Sequence, residues 1–454
     1  MLLFRIGVVA LSISLAACSQ VHETTLDNGL KIVVKEDHRS PVVVSQIWYK
    51  VGSASEPAGL TGISHVLEHM MFKGTTRYKA GEFSRIIAEN GGRENAFTGH
   101  DYTAYFQQLE KSRLSVSFEL EADRMHNLLL QDQDFQKEVQ VVMEERRLRT
   151  DDEPDAQLYE KFMATAYQVH SYKEPIIGSM VDLQHLNVAE LRTWYQRWYV
   201  PNNATLVVVG DVRPSEVFML ARQYFGPVKS GKVEPAKVPE EPPQKETRRV
   251  RLALPAEVAS LVMGYHVPVL RNSPAEWEPY ALQVLTGVLD GGDSARFARE
   301  LVRGSQVVAG IDTGYNPYSP YPVLLEFSAT PANGHTTAEV EKAVREQIER
   351  IKREPITDAE LRRVKAQVVA GDVYARDSVF YQAMRIGTLE TIGLDWRLID
   401  EAVERVRAVT AAQVQQVAQK YLIDSNLTVG VLDPLPLDKN KRPTHRSMGG
   451  ENVR

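Results

Sequence analysis

The stretch "HVLEHMMFKGT" (65–75) sets two imidazoles and a carboxylate inside an otherwise apolar run. The surrounding pattern predicts a helix over 61–73, with Thr61 as its N-cap and Gly74 as its stop. At about 100° per residue, Ile63, Val66, Leu67, Met70 and Met71 form one stripe. His65, Glu68, His69 and Phe72 form a second stripe, almost opposite the first. Histidines at i and i+4 point the same way, one turn apart, so both can reach a single metal ion. Zinc takes such ligands, and a catalytic zinc site uses three protein ligands and keeps one position open. Glu68 shares that face, one residue before the second histidine, where it can accept a proton from water polarised by the metal.

The third ligand must come from elsewhere. The segment "FQKEVQVVMEERR" (135–147) predicts a helix over 135–149, with Glu138 and Glu145 seven residues apart on one face. From spacing alone, Glu138, Glu144 and Glu145 fit an ordinary charged helix face equally well. The H-x-x-E-H order, with a glutamate 76 positions after His69, resembles the inverted zinc peptidases. That family includes pitrilysin, insulin-degrading enzyme and the mitochondrial processing peptidase. The resemblance implies that His65, His69 and Glu145 hold one Zn2+ per chain. It implies that Glu68 is the catalytic base and that Glu138 supports catalysis from behind the ligands. "NAFTGHDYTAYF" (95–106) and "HSYKEPIIG" (170–178) also resemble family signatures. In the family the first lies on an edge strand beside the metal, to which substrate adds as an extra strand. Asn95, Ala96 and Phe97 would then bind substrate, whereas His170 is structural.

The second half departs from that pattern. The family grips substrate with Leu-Arg-x-x-x-Gly-Leu-Ala-Tyr, and the matching stretch here is "LVRGSQVVA" (301–309). Val302 stands where Arg is expected and Ala309 where Tyr is expected. The resemblance therefore implies a zinc-bearing subunit that needs a homologous subunit carrying the Arg/Tyr pair, or else a homodimer. Its substrates would be peptides or unfolded segments. A non-catalytic scaffold or assembly protein is the main alternative, and a metal-storing lipoprotein a third reading. Retention of all five site residues argues against a scaffold.

The elements that must position these residues follow from the rest of the chain. With 454 residues, 43% of them hydrophobic and 25% charged, two domains are expected. A net charge of -6 without a basic stripe argues against nucleic acid as a partner. Residues 24–36 read as a turn at Asp27-Asn28-Gly29 followed by a strand, and "PVVVSQIWYKVGS" and "ATLVVVGDV" as further strands. Further helical patterns fall at 80–89 and 112–130, and another helix ends near Tyr199. "WYVPNNATLVVVGDV" and "KYLIDSNLTVGVLDP" echo each other, with their Asn-x-Thr elements offset by one residue. This predicts a duplicated α+β fold: two similar domains, each a mainly antiparallel sheet with helices packed on one face. The expected division is an export signal at 1–18, a zinc-bearing domain at 19–228, a linker at 229–247, a second domain at 248–436 and a flexible tail at 437–454. Leu15-Ala16-Ala17-Cys18 resembles a bacterial lipobox that would lipidate Cys18, the one cysteine of the chain. Ser19 after it favours the outer membrane, and so an anchor on the periplasmic side of the envelope.

Overall fold

A computed structural model describes residues 21–437. The signal expected at 1–18, with the lipobox and Cys18, and the tail beyond 437 lie outside the described residues.

Six strands build the first sheet: β1 (Val21–Thr25), β2 (Lys31–Glu36), β3 (Val42–Tyr49), β4 (Arg93–Thr98), β5 (Thr103–Glu110) and β6 (Ala204–Gly210). Five build the second: β7 (Arg248–Pro255), β8 (Ser260–Val267), β9 (Val308–Gly314), β10 (Val323–Pro331) and β11 (Leu427–Leu435). The orders are β1-β2-β6-β3-β5-β4 and β7-β11-β8-β10-β9. Without β1 they are the same, down to the one parallel pair, β2 with β6 and β7 with β11. The duplication read from the sequence is thus a duplication of topology. The echoed asparagines do the same job in both halves: Asn203 Nδ2 donates to Trp198 O (2.9 Å) and Asn426 Nδ2 to Tyr421 O (3.0 Å). Each closes the end of a helix that feeds the strand.

One face of the first sheet is covered by helices of its own half, around Val34, Ile47, Leu67, Phe118 and Leu206. The other face is covered from the far end of the chain. The helix Val379–Thr391 lays Ala383, Ile386 and Leu389 on Val33, Val44, Trp48, Val207 and Val209. The second sheet is treated reciprocally by the helix Pro154–Ala166, which puts Phe162 and Ala166 against Val262 and Leu324. The halves therefore exchange a helix, in addition to the helices each keeps on one face. This explains why β6 is buried along its whole length rather than alternating. Glycines admit the exchanged helices. A Cβ on Gly387 would lie 2.1 Å from the Trp48 ring, and one on Gly264 would lie 2.8 Å from Phe162.

In chain order the first-half helices needed below are α1 (Ile63–Met70), α2 (Glu82–Glu89), α3 (Leu114–Asn127), α4 (Asp132–Arg146) and α5, the Pro154–Ala166 helix just described. Residues 229–247 form no helix or strand, but they are tied down. Val233 and Ala236 pack on the first core, and Glu241 accepts the backbone N–H groups of Gln168, Val169 and His170 at 2.8, 2.9 and 3.0 Å.

The exchanged helix gives a paired test. Gly387→Ala should destabilise by about 1–3 kcal/mol, because Trp48 has no room to yield. Gly371→Ala, on the helix Asp358–Ala375 with open space at its Cβ, should stabilise by roughly 0.5–1 kcal/mol. Urea unfolding curves of the two variants check both signs.

Candidate metal centre

The apolar stripe of α1 is buried as expected, with Ile63, Val66, Leu67 and Met70 facing the core. Its start differs from expectation. Thr61 is not the cap: Gly62 holds that position in a left-handed conformation, φ 89°. The capping oxygens come from Glu56, whose carboxylate accepts the N–H groups of Gly62 (2.7 Å) and Ser64 (2.8 Å). Thr61 instead donates its hydroxyl to Asp182 (2.5 Å) and accepts the Ser179 N–H (2.9 Å). Phe72 lies past the helix end and packs on the core rather than joining the polar stripe.

The turn before α1, "GLTG" (59–62), meets the end of the "HSYKEPIIG" signature here. A Cβ on Gly62 would stand 2.5 Å from Ile177 O, and one on Gly178 would stand 2.4 Å from Thr61 O. The "GLTG" and "PIIG" stretches are therefore in backbone contact, which only glycine permits at both positions.

α4 packs across α1 and completes the site. His69 Nε2 lies 3.4 Å from Glu145 Oε2, and His65 Nε2 lies 3.9 Å from the same oxygen. Donor atoms of His65, His69 and Glu145 all fall within 4.8 Å of one another, the one group of this kind among the described residues. Tetrahedral ligands about 2.1 Å from a zinc ion stand roughly 3.4 Å apart, so the His69–Glu145 separation already fits and the widest side of the triangle, up to 4.8 Å, must close on an ion. Two imidazoles and one carboxylate are a zinc donor set with an open fourth position.

The remaining site residues act on these three. Glu138 Oε1 meets His69 Nδ1 at 3.0 Å, and Lys73 Nζ holds Glu138 Oε2 at 2.6 Å. Glu138 thus fixes the ring so that Nε2 faces the donor triangle, and acts through His69. Burial, with His69 alongside, drives His65 down to about 4, so its ring is neutral. Burial acts the same way on His69, but Glu138 and Glu145 outweigh it and raise that ring to about 9. Glu68 stands beside the triangle, its pKa raised by burial, and Thr98 Oγ1 donates to its Oε2 at 2.5 Å.

Thr98 ends β4, the last strand of its sheet, so the outer edge of β4 has no partner strand among the described residues. Asn95, Ala96 and Phe97 lie on that edge. Ala96 N–H is capped by Asn95 Oδ1 (2.9 Å), and the Phe97 ring packs edge-on against Trp48, 5.4 Å away. Val302 packs on the second core and Ala309 is exposed on β9, while Arg303 bonds the carbonyl of Asp293.

Sequence reasoning missed Lys73, Thr98 and Glu56. Lys73 and Thr98 lie inside quoted motifs, four residues after His69 and one after Phe97, so their proximity was available. Glu56 left no such signal.

Residues 31–180 match the insulinase family (peptidase family M16), and residues 185–368 match the peptidase M16 inactive domain. The zinc protease PqqE of Helicobacter pylori is 35% identical over 349 residues, 76% of this chain and 78% of that protein. A crystal structure of a protease from Helicobacter pylori superposes with a TM-score of 0.86 at 30% identity, covering 92% of this chain and all of that one. The periplasmic protease PqqL of Escherichia coli shares the fold at 18% identity, TM-score 0.77, with 96% of this chain covering 52% of PqqL. The chain belongs to peptidase family M16.

The donor triangle predicts its own disruption. Glu145→Ala should abolish tight zinc retention, which wild type should show at about one ion per chain. Glu138→Gln should weaken zinc binding by about 10–100-fold without removing a ligand. Metal analysis after dialysis, with chelator competition for the second variant, reads both.

Proposed function

We propose that this chain is a zinc-dependent endopeptidase subunit that hydrolyses peptides or unfolded segments. The observation that carries this reading is the convergence of His65, His69 and Glu145, with Glu68 between them and the free edge of β4. The membership in family M16 and the relative named a zinc protease support it. An extended peptide pairs with the edge of β4 and is held by backbone hydrogen bonds, so side-chain demands are weak. When bound, zinc supplies Lewis acidity to a water molecule and to the scissile carbonyl. Glu68 takes a proton from the attacking water as its oxygen bonds to the carbonyl carbon. The same carboxyl then delivers that proton to the amide nitrogen as the C–N bond breaks. Thr98 holds Oε2 throughout, and burial makes the protonated state of Glu68 accessible. Glu68→Gln should keep zinc and lose peptide cleavage by at least about 100-fold, the usual range for a proton-transfer group. Cleavage unchanged in that variant would remove Glu68 from the proton-transfer role, whereas a wild-type chain that binds zinc and cleaves no peptide, even with a homologous partner added, would favour the scaffold reading.

The reading includes a partner. Charge develops on the scissile carbonyl oxygen, and a positioned donor there is commonly worth about 3–4 kcal/mol. Val302 and Ala309 supply none. This chain spans about half of PqqL, a periplasmic protease of the same fold, which is consistent with a longer protease built from more than one such unit. A homologous subunit with the Arg/Tyr pair would supply the donors here, and a homodimer would not. On a quenched peptide the lone chain should be a poor catalyst, and adding such a subunit should raise turnover by about 100-fold or more. Full activity of the lone chain would remove the requirement. The lipobox at Cys18 extends the proposal to a lipid anchor on the periplasmic side of the envelope. No helix among the described residues is long and apolar enough to cross a membrane.

A further inference from the structure

Glu145 has two carboxylate oxygens, and only one faces the histidines. Oε2 points to His65 and His69, while Oε1 is held at 2.5 Å by Nη1 of Arg149. α4 has ended by then, but the backbone continues as a wide helical turn, Arg147–Asp151. Such wide turns recur at functional sites, and this one sets Arg149 one turn beyond Glu145. The Arg149 side chain is 74% exposed, and Glu145 is its one ion-pair partner among the described residues.

We infer that Arg149 is a positioning residue of the metal site, tying one oxygen of Glu145 so that the other alone is offered to the metal. This rests on the zinc reading above. A glutamate left untied can turn about its terminal bond or bind through both oxygens. Two-oxygen binding would consume the open position that catalysis needs. A charge-assisted bond from a guanidinium removes that option and costs no ligand. As an exposed ion pair it adds little to folding stability. Its effect therefore belongs to the metal and not to the fold.

A matched control lies two residues away. Arg147, on the same wide turn, pairs at 2.8 Å with Glu144, which is not a ligand. Arg147→Ala removes the same charge from the same segment and leaves Glu145 alone.

The test measures zinc affinity of the full mature chain by chelator competition, for wild type, Arg149→Ala, Arg149→Lys and Arg147→Ala. Arg149→Ala should weaken zinc about 10–100-fold. Arg149→Lys should recover part of that loss, and Arg147→Ala should match wild type. Melting temperatures of the four metal-free proteins should coincide. Visible absorption of the cobalt-substituted proteins should be weaker for Arg149→Ala, as a higher coordination number requires. Wild-type affinity in Arg149→Ala overturns the inference, as does an equal loss in Arg147→Ala, which would make the effect one of net charge. Failure of the wild-type chain to bind zinc is a different result and sinks the zinc reading itself.

Discussion

The back-to-back approach of Gly62 and Gly178 is the constraint on which the site depends. It fixes the start of α1, and hence the height of His65 and His69 along the helix axis. Gly178 also accepts a hydrogen bond from Arg146 Nη1 at 2.8 Å. Arg146 is the neighbour of Glu145, so the same glycine that sets α1 also sets the end of α4. The buried Arg146 guanidinium reaches on to Glu160 of α5 with two 3.0 Å bonds. One junction thus connects both ligand helices to the helix that is lent to the other half. A side chain at either glycine would drive a carbonyl away, and every distance in the donor triangle would change with it.

Around this frame the charges are graded. His65 is neutral because it is buried, and its Nδ1 has no partner among the described residues. His69 sits between two glutamates, and Lys73 balances the nearer one, Glu138. A ring so held has one orientation, whereas His65 is set by packing alone. The two ligands of the i, i+4 pair are therefore fixed by different physics, one by hydrogen bonds and one by steric enclosure.

How much of this was legible follows from range. The H-x-x-E-H constellation is local, and helical geometry alone placed its three groups on one face. Glu145 was legible only through the family spacing, because its helix meets α1 through contacts that no periodicity encodes. The capping of α1 was misread at Thr61 for the same reason. The rule for N-caps looks at adjacent residues, but here Glu56 arrives from a loop six residues earlier and Thr61 turns to Asp182. The duplicated topology was visible in two asparagines and two valine-rich strands. The exchanged helices were not. Yet the strand "ATLVVVGDV" carried a hint, since a half-exposed strand alternates and this one does not.

That exchange has a consequence for how the protein can come apart. Neither half, taken alone, can cover its own sheet. Val207 and Val209 need a helix that begins about 170 residues later in the chain, Trp48 needs the same helix about 330 residues later, and Val262 needs one made about 100 residues earlier. The first sheet must wait with one face bare until synthesis is nearly finished, an interval in which a chaperone would have something to hold. Once closed, the two halves lose their protection together, so a protease that nicks one exposes the other. Duplication supplied two copies of one topology, and interleaving made them a single cooperative unit.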